Sequence, residues 1–237
     1  MSESSAMDIT KEEEDTFLFY YQIKMLGLCD HMNIPVQIQS TAITYFKVLF
    51  SKRRVFQYDM KNFVVACILL AMKVENTFTT AARIKEQLSF ADVKLLAEYE
   101  LEICNALKFN LHVASPHLRL LGLFLLLRNK ERVAAEAEKH VQTQEISEAD
   151  KVLEWDQAVE NLRTLMLLED YHTLDLNEVA IASLPVSPLQ LRGFFMEETL
   201  ESVKHLKKKM KRKEPPSSEQ IERIGRKIKQ IQQRYKI

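Results

Sequence analysis

The sequence predicts an all-α protein: two tandem five-helix repeats, the second abbreviated, followed by a C-terminal helix. Three observations carry that expectation. Glycine and proline are scarce, four and six in 237 residues, whereas sheet-containing folds need more of both for their turns. Apolar residues recur at helical spacing from Asp15 to Leu111. After Ser115 the chain starts the pattern again, with a proline once more opening an apolar helix.

The first helix is expected in "EEEDTFLFYYQIKMLGLCDHMN", whose acidic first turn suits a helix N-terminus and whose end falls near Met32 to Asn33. Pro35 opens the second, "PVQIQSTAITYFKVLFSK", because a missing N–H costs nothing in a first turn. The third follows a polar break with Asp59 as cap. Its interior, Phe63 to Met72, is ten apolar residues without interruption. A helix apolar on every side is a buried one, so this is the central helix. "TTAARIKEQL" supplies a short fourth helix, and the fifth, capped by Ser89, carries Leu96, Tyr99, Ile103 and Leu107 on one stripe.

In the second half, "SPHLRLLGLFLLLR", "SEADKVLEWDQAVENLRTLMLLEDYHTL", "DLNEVAIASL" and "GFFMEETLESVKHLKKKMKRK" read as a degenerate copy, broken by "PVSP". The charged stretch "NKERVAAEAEKHVQTQE" between its first two helices extends a helix or forms a solvated loop. Pro215 and Pro216 end the last of these helices. Ser217 or Ser218 then caps a final one with an isoleucine stripe at 221, 224, 228 and 231. Residues 1–14 are thus expected as a disordered acidic tail, 15–113 as the first repeat, 114–213 as the second, and 214–237 as the C-terminal helix.

Composition excludes several classes of function. Apolar runs stop at ten residues, or eleven in "LRLLGLFLLLR" between Leu118 and Arg128, short of the roughly 20 that span a bilayer. The acidic start "MSESSAMDITKEEED" lacks the apolar core of a secretory signal, so a cytosolic or nuclear location is expected, and no membrane partner. Cys29, Cys67 and Cys104 have no zinc spacing and read as reduced core residues. The four glycines, at 27, 122, 193 and 225, are too dispersed for a phosphate-cradling loop. No paired histidine motif or nucleophile elbow is present, so no metal, no cofactor and no catalysis are expected.

Net charge is zero but unevenly held. Residues 204–237 contain 13 Lys/Arg against three Asp/Glu, a surplus of +10 that the first 203 residues balance. Within it, "KHLKKKMKRK" brings Lys207, Lys208, Lys209, Lys211, Arg212 and Lys213 together. A helix dipole accounts for two or three of these charges, and the excess points to nuclear import or an acidic partner. Direct specific binding of nucleic acid is not expected, because the acidic remainder of the chain opposes it.

Two charges stand where apolar residues belong. Lys73 ends the central helix, and Glu100 sits inside the stripe of the fifth, four residues after Leu96 and three before Ile103. A lysine at a helix C-terminus can snorkel into water and complement the dipole. Burying either charge alone would cost several kcal/mol, so the sensible alternative is that the two meet.

The segments "TAITYFKVLF", "YDMKNFVVACILLAMKVEN" and "EYELEICNALKFNLHVASPH" resemble the signature of a cyclin box. In cyclins the lysine closing the third helix and the glutamate of the fifth pair where the regulatory helix of a cyclin-dependent kinase is gripped, and Lys73 and Glu100 occupy those positions. The resemblance implies a kinase-binding surface of Lys73 and Glu100 with Leu70, Val74, Glu75, Phe109 and Leu111 around them. Within the family, "KEEEDTFLFYYQIKMLGLC", "LLEDYHTLDLNEVAIASL" and "KKMKRKEPPSSEQIERI" are similar to the cyclin H group. That likeness implies a nuclear, non-catalytic subunit of the CDK-activating kinase of transcription factor IIH, with a ring-finger assembly factor as third component. Its substrates would be other kinases and the RNA polymerase II tail. The alternatives are a cyclin of the C or elongation type, or a cyclin-fold transcription factor of the factor IIB kind.

Overall fold

The computed structural model describes residues 9–77, 80–137, 148–187, 191–210 and 214–235. Among the described residues there are ten α-helices and no strand. They fall into two units, Met1–Val113 with Lys213–Ile237, and Ala114–Arg212.

The first unit is built around α3 (Met60–Val74), against which α1 (Lys11–His31), α2 (Val36–Phe50) and α5 (Val93–Ala106) pack. Every residue of α3 from Asn62 to Met72 is buried, as its unbroken apolar interior requires. Asp59 caps it, its carboxylate accepting from Asn62 N–H at 3.0 Å. Phe46, Phe50, Tyr58, Phe63 and Tyr99 form an aromatic cluster with ring centroids 4.7–6.2 Å apart, fixing α2 and α5 on α3. The polar tips of that cluster are satisfied: Tyr58 donates to Glu102 at 2.5 Å, and Asp59 N–H donates to the Tyr99 hydroxyl at 2.8 Å. α4 (Ala81–Gln87) rests on α5 and is capped by Thr80.

Three expectations are corrected here. The tail expected through residue 14 ends sooner, because Thr10 and Glu13 form a reciprocal capping box that starts α1 at Lys11. α5 is capped by Asp92, which accepts from Lys94 and Leu95 N–H, and not by Ser89. Cys29 and Cys67 are buried, and burial pushes the Cys67 thiol well up, but Cys104 is only half-buried.

The C-terminal helix α10 (Ser218–Tyr235) belongs to the first unit. Ile224, Ile228 and Ile231 are buried, and α10 lies against α1 and the 3-10 turn Val55–Gln57. Lys227 donates to both carboxylate oxygens of Glu13, at 2.7 and 2.9 Å, and Gln232 donates to the Phe56 carbonyl at 3.0 Å.

In the second unit the short α8 (Leu176–Ser183) takes the central place, wrapped by α6 (Pro116–Ala137), α7 (Glu148–Met166) and α9 (Glu197–Lys209). Val179 to Ser183 are buried without exception. Trp155, the one tryptophan of the chain, packs on His117 and Phe124 with centroids 5.6 and 5.3 Å away. Where a further helix would follow α8, the described chain is irregular and Gly193 adopts φ +83°, a backbone that glycine tolerates.

Candidate functional site

Lys73 is the first charge after the buried run of α3, in that helix's last turn. Its ammonium donates to both oxygens of Glu100, at 2.6 and 2.7 Å. The two charges therefore meet across α3 and α5. The pair is asymmetric: the Lys73 side chain is 44% exposed and that of Glu100 16%. The lysine faces solvent over a carboxylate that is already shielded and satisfied. An ammonium has three donors, so bidentate pairing leaves a third for an outside acceptor.

The turns that follow α3 and α5 are each closed by backbone hydrogen bonds. After α3, Asn76 takes φ +57° and Thr77 N–H donates to Met72 O at 2.8 Å, closing a Schellman turn. After α5, Lys108 and Phe109 are both left-handed, at φ +52° and +57°, and Phe109 N–H donates to Cys104 O at 2.8 Å. A phenylalanine in that region is strained, and strain of this kind gathers at functional sites. Phe109 is 65% exposed.

The remaining residues implied by the cyclin resemblance are placed differently from one another. Leu70 is buried in the core at 6% exposure, whereas Val74 and Leu111 are half-buried. The Leu111 carbonyl accepts from the Tyr45 hydroxyl at 2.6 Å. Glu75 turns toward α2, where its carboxylate accepts from Thr41 at 2.9 Å and from the Gln37 amide. Sequence reading missed Leu101, Phe90 and Val93, which are 57%, 47% and 38% exposed. Leu101 follows Glu100 directly and lies off the buried stripe, which was a usable signal. Cys104, one turn after Glu100, has its thiol pushed up first by burial and further by Glu100, with Lys73 opposing.

Among the described residues of the basic run, three lysines are tied into the second unit. Lys207 donates to the Leu184 carbonyl at 2.6 Å, and burial pulls its amine down. Lys209 pairs with Asp170 at 2.9 Å and Lys204 pairs with Glu201, while Lys208 is exposed. Lys211, Arg212 and Lys213 lie outside the described residues. Among the described residues no group of His, Cys, Asp and Glu is arranged to hold a metal, and no helix is long and apolar enough to cross a membrane.

The model of the cyclin N-terminal domain matches residues 4–112, which contain the whole of this site. The chain is 32% identical over 127 residues to Cyclin CCL1 of Saccharomyces cerevisiae, covering 54% of this chain and 32% of that protein. It is 26% identical over 151 residues to Cyclin-H1-1 of Arabidopsis thaliana, covering 61% and 44%. The matches thus span less than half the length of either relative. A chain in the structure of the CAK complex from Chaetomium thermophilum bound to ATP-gamma-S superposes with a TM-score of 0.75 over 93% of this chain and 73% of its own length, at 17% identity. That likeness is one of fold.

Proposed function

We propose that the chain, whose residues 4–112 match the cyclin N-terminal domain, is a cyclin and serves as the regulatory subunit of a cyclin-dependent kinase. The observation that carries this reading is the Lys73–Glu100 pair, held at 2.6 Å at the end of a helix buried along its length. A flexible surface lysine would lose side-chain entropy on docking. Here that ordering is already done, so little affinity is spent on it. Lys73 offers its remaining donor to a carbonyl at the end of the kinase's regulatory helix, and the exposed Phe109 and Leu101 supply apolar contact. Held inward, that helix aligns the kinase's own Lys–Glu pair and metal-binding loop. The chain itself contributes shape and no catalytic group.

Its similarity to Cyclin CCL1 and Cyclin-H1-1 supports the CDK-activating kinase as the partner. The fold shared with a chain of a CAK complex agrees with that choice. The complex would act in the nucleus on other kinases and on the RNA polymerase II tail within transcription factor IIH, with a ring-finger assembly factor as third subunit. The test is a pull-down from nuclear extract read by mass spectrometry, wild type beside Glu100→Lys. Recovery of a cyclin-dependent kinase by wild type alone is the expected result. Equal recovery by a folded Glu100→Lys variant would remove the pair from the interface.

A further inference from the structure

Glu75 is the C-cap residue of α3, and a carboxylate is disfavoured there because the helix dipole is negative at that end. Its environment explains why it is tolerated. Thr41, with no exposed surface, donates its hydroxyl to Glu75 Oε1 at 2.9 Å, and the Gln37 amide donates to Oε2. The Thr41 hydroxyl also lies 3.3 Å from the Gln37 carbonyl, but it has one proton, and the charged acceptor is both nearer and stronger. Two residues earlier, Lys73 reaches the opposite way to Glu100 on α5. The last turn of α3 is thus held on one flank by α2 and on the other by α5.

We propose that Glu75 is a positioning residue for the kinase-docking surface: anchored by Thr41 and Gln37, it fixes the terminal turn of α3 and with it the aim of Lys73. This rests on the regulatory-subunit reading above. It reassigns Glu75 from a contact with the kinase to a clamp beneath the contact. Thr41→Val would leave the anion at the negative end of the helix with the Gln37 amide alone, and Glu75→Ala would remove the tie to α2; either loosens the turn that carries Lys73. Thr41 gives the decisive handle, since a side chain with no exposed surface cannot touch a partner.

The test compares Thr41→Val, Thr41→Ser, Glu75→Ala and the Thr41→Val/Glu75→Ala pair, measuring the dissociation constant for the purified kinase well below each variant's melting temperature. Thr41→Val and Glu75→Ala are each expected to weaken binding about tenfold, the double variant no more than Glu75→Ala alone, and Thr41→Ser to restore affinity. Wild-type affinity in Thr41→Val, with loss confined to Glu75→Ala, would overturn the proposal and return Glu75 to direct contact. A second measurement needs no kinase. The Glu75 and Thr77 amides donate to the Ala71 and Met72 carbonyls, and their hydrogen exchange should quicken about tenfold in Thr41→Val. Unchanged exchange would overturn the clamp. If the wild-type chain bound no kinase while exchange responded as expected, the regulatory-subunit reading would fail and the clamp would stand.

Discussion

The two units end their central helices in opposite ways. α3 runs 15 residues and finishes on its own cation, Lys73, which reaches outward and pairs with Glu100 at the surface. α8 runs eight residues and ends without a charge. The carbonyl of Leu184 just beyond it receives Lys207 from α9, a lysine half-buried and committed to that one acceptor. Each helix end thus carries one positive charge where the dipole is negative, Lys73 in the last turn of α3 and Lys207 of α9 on the carbonyl after α8. Only the first does so with a side chain still open to a partner. On the proposed reading, a repeat keeps its fold while closing the position through which its sister would act.

Breaking the open end should have the largest effect. Glu100→Lys places a second ammonium against Lys73 and should weaken kinase binding by more than about 100-fold, read by calorimetry, while the melting temperature moves by only a few degrees. Ile228→Asp tests whether α10 serves the first unit alone. Placing a carboxylate in the stripe buried against α1 should destabilise that unit by about 3–5 kcal/mol. Trp155 lies in the second unit, so its fluorescence should keep its urea midpoint while the far-ultraviolet dichroism midpoint falls. Lys207→Met removes the donor at the closed end and should cost the second unit about 1–2 kcal/mol, followed by Trp155, without changing kinase affinity. Phe109→Asn should separate binding from stability. Asparagine tolerates the left-handed backbone, so stability should hold or rise by up to about 1 kcal/mol while kinase affinity falls.

The smallest effect concerns pH. Lys227, by hydrogen bond, holds the Glu13 carboxyl below its usual range, against a smaller opposing effect of burial. A carboxyl lowered on folding stabilises the fold above its unfolded value, about 4.3, and that contribution is lost as pH falls through the lower folded value. Acid titration of the wild type should therefore loosen the α1–α10 contact in that window. Glu13→Gln should flatten the dependence.

Much of this was legible from local pattern. Ten apolar residues in a row could only be a buried helix, and a glutamate inside the α5 stripe could only be tolerated with a partner. Thr10-x-x-Glu13 is a capping-box spacing that fixes the start of α1 within the residues expected as an acidic tail, so that signal was present in the sequence and unused. Other features depend on residues far apart in sequence and leave no local signature. Glu75 reads as a solvent-facing neighbour of Lys73 until α2 brings Thr41 and Gln37 against it, 34 and 38 residues away. The isoleucine stripe of α10 announced burial without naming α1 as its seat. In the run from Lys207 to Lys209, spacing reveals the charge but not that Leu184 and Asp170 already hold two of the three.

The contrast between the two helix ends can be tested in a single kinase-activation assay, with phosphate transfer measured at saturating wild type, Lys73→Glu and Lys207→Met, each first shown to be folded. Full activation by wild type and Lys207→Met, and none by Lys73→Glu, is the expected result. Full activation by Lys73→Glu would contradict the account.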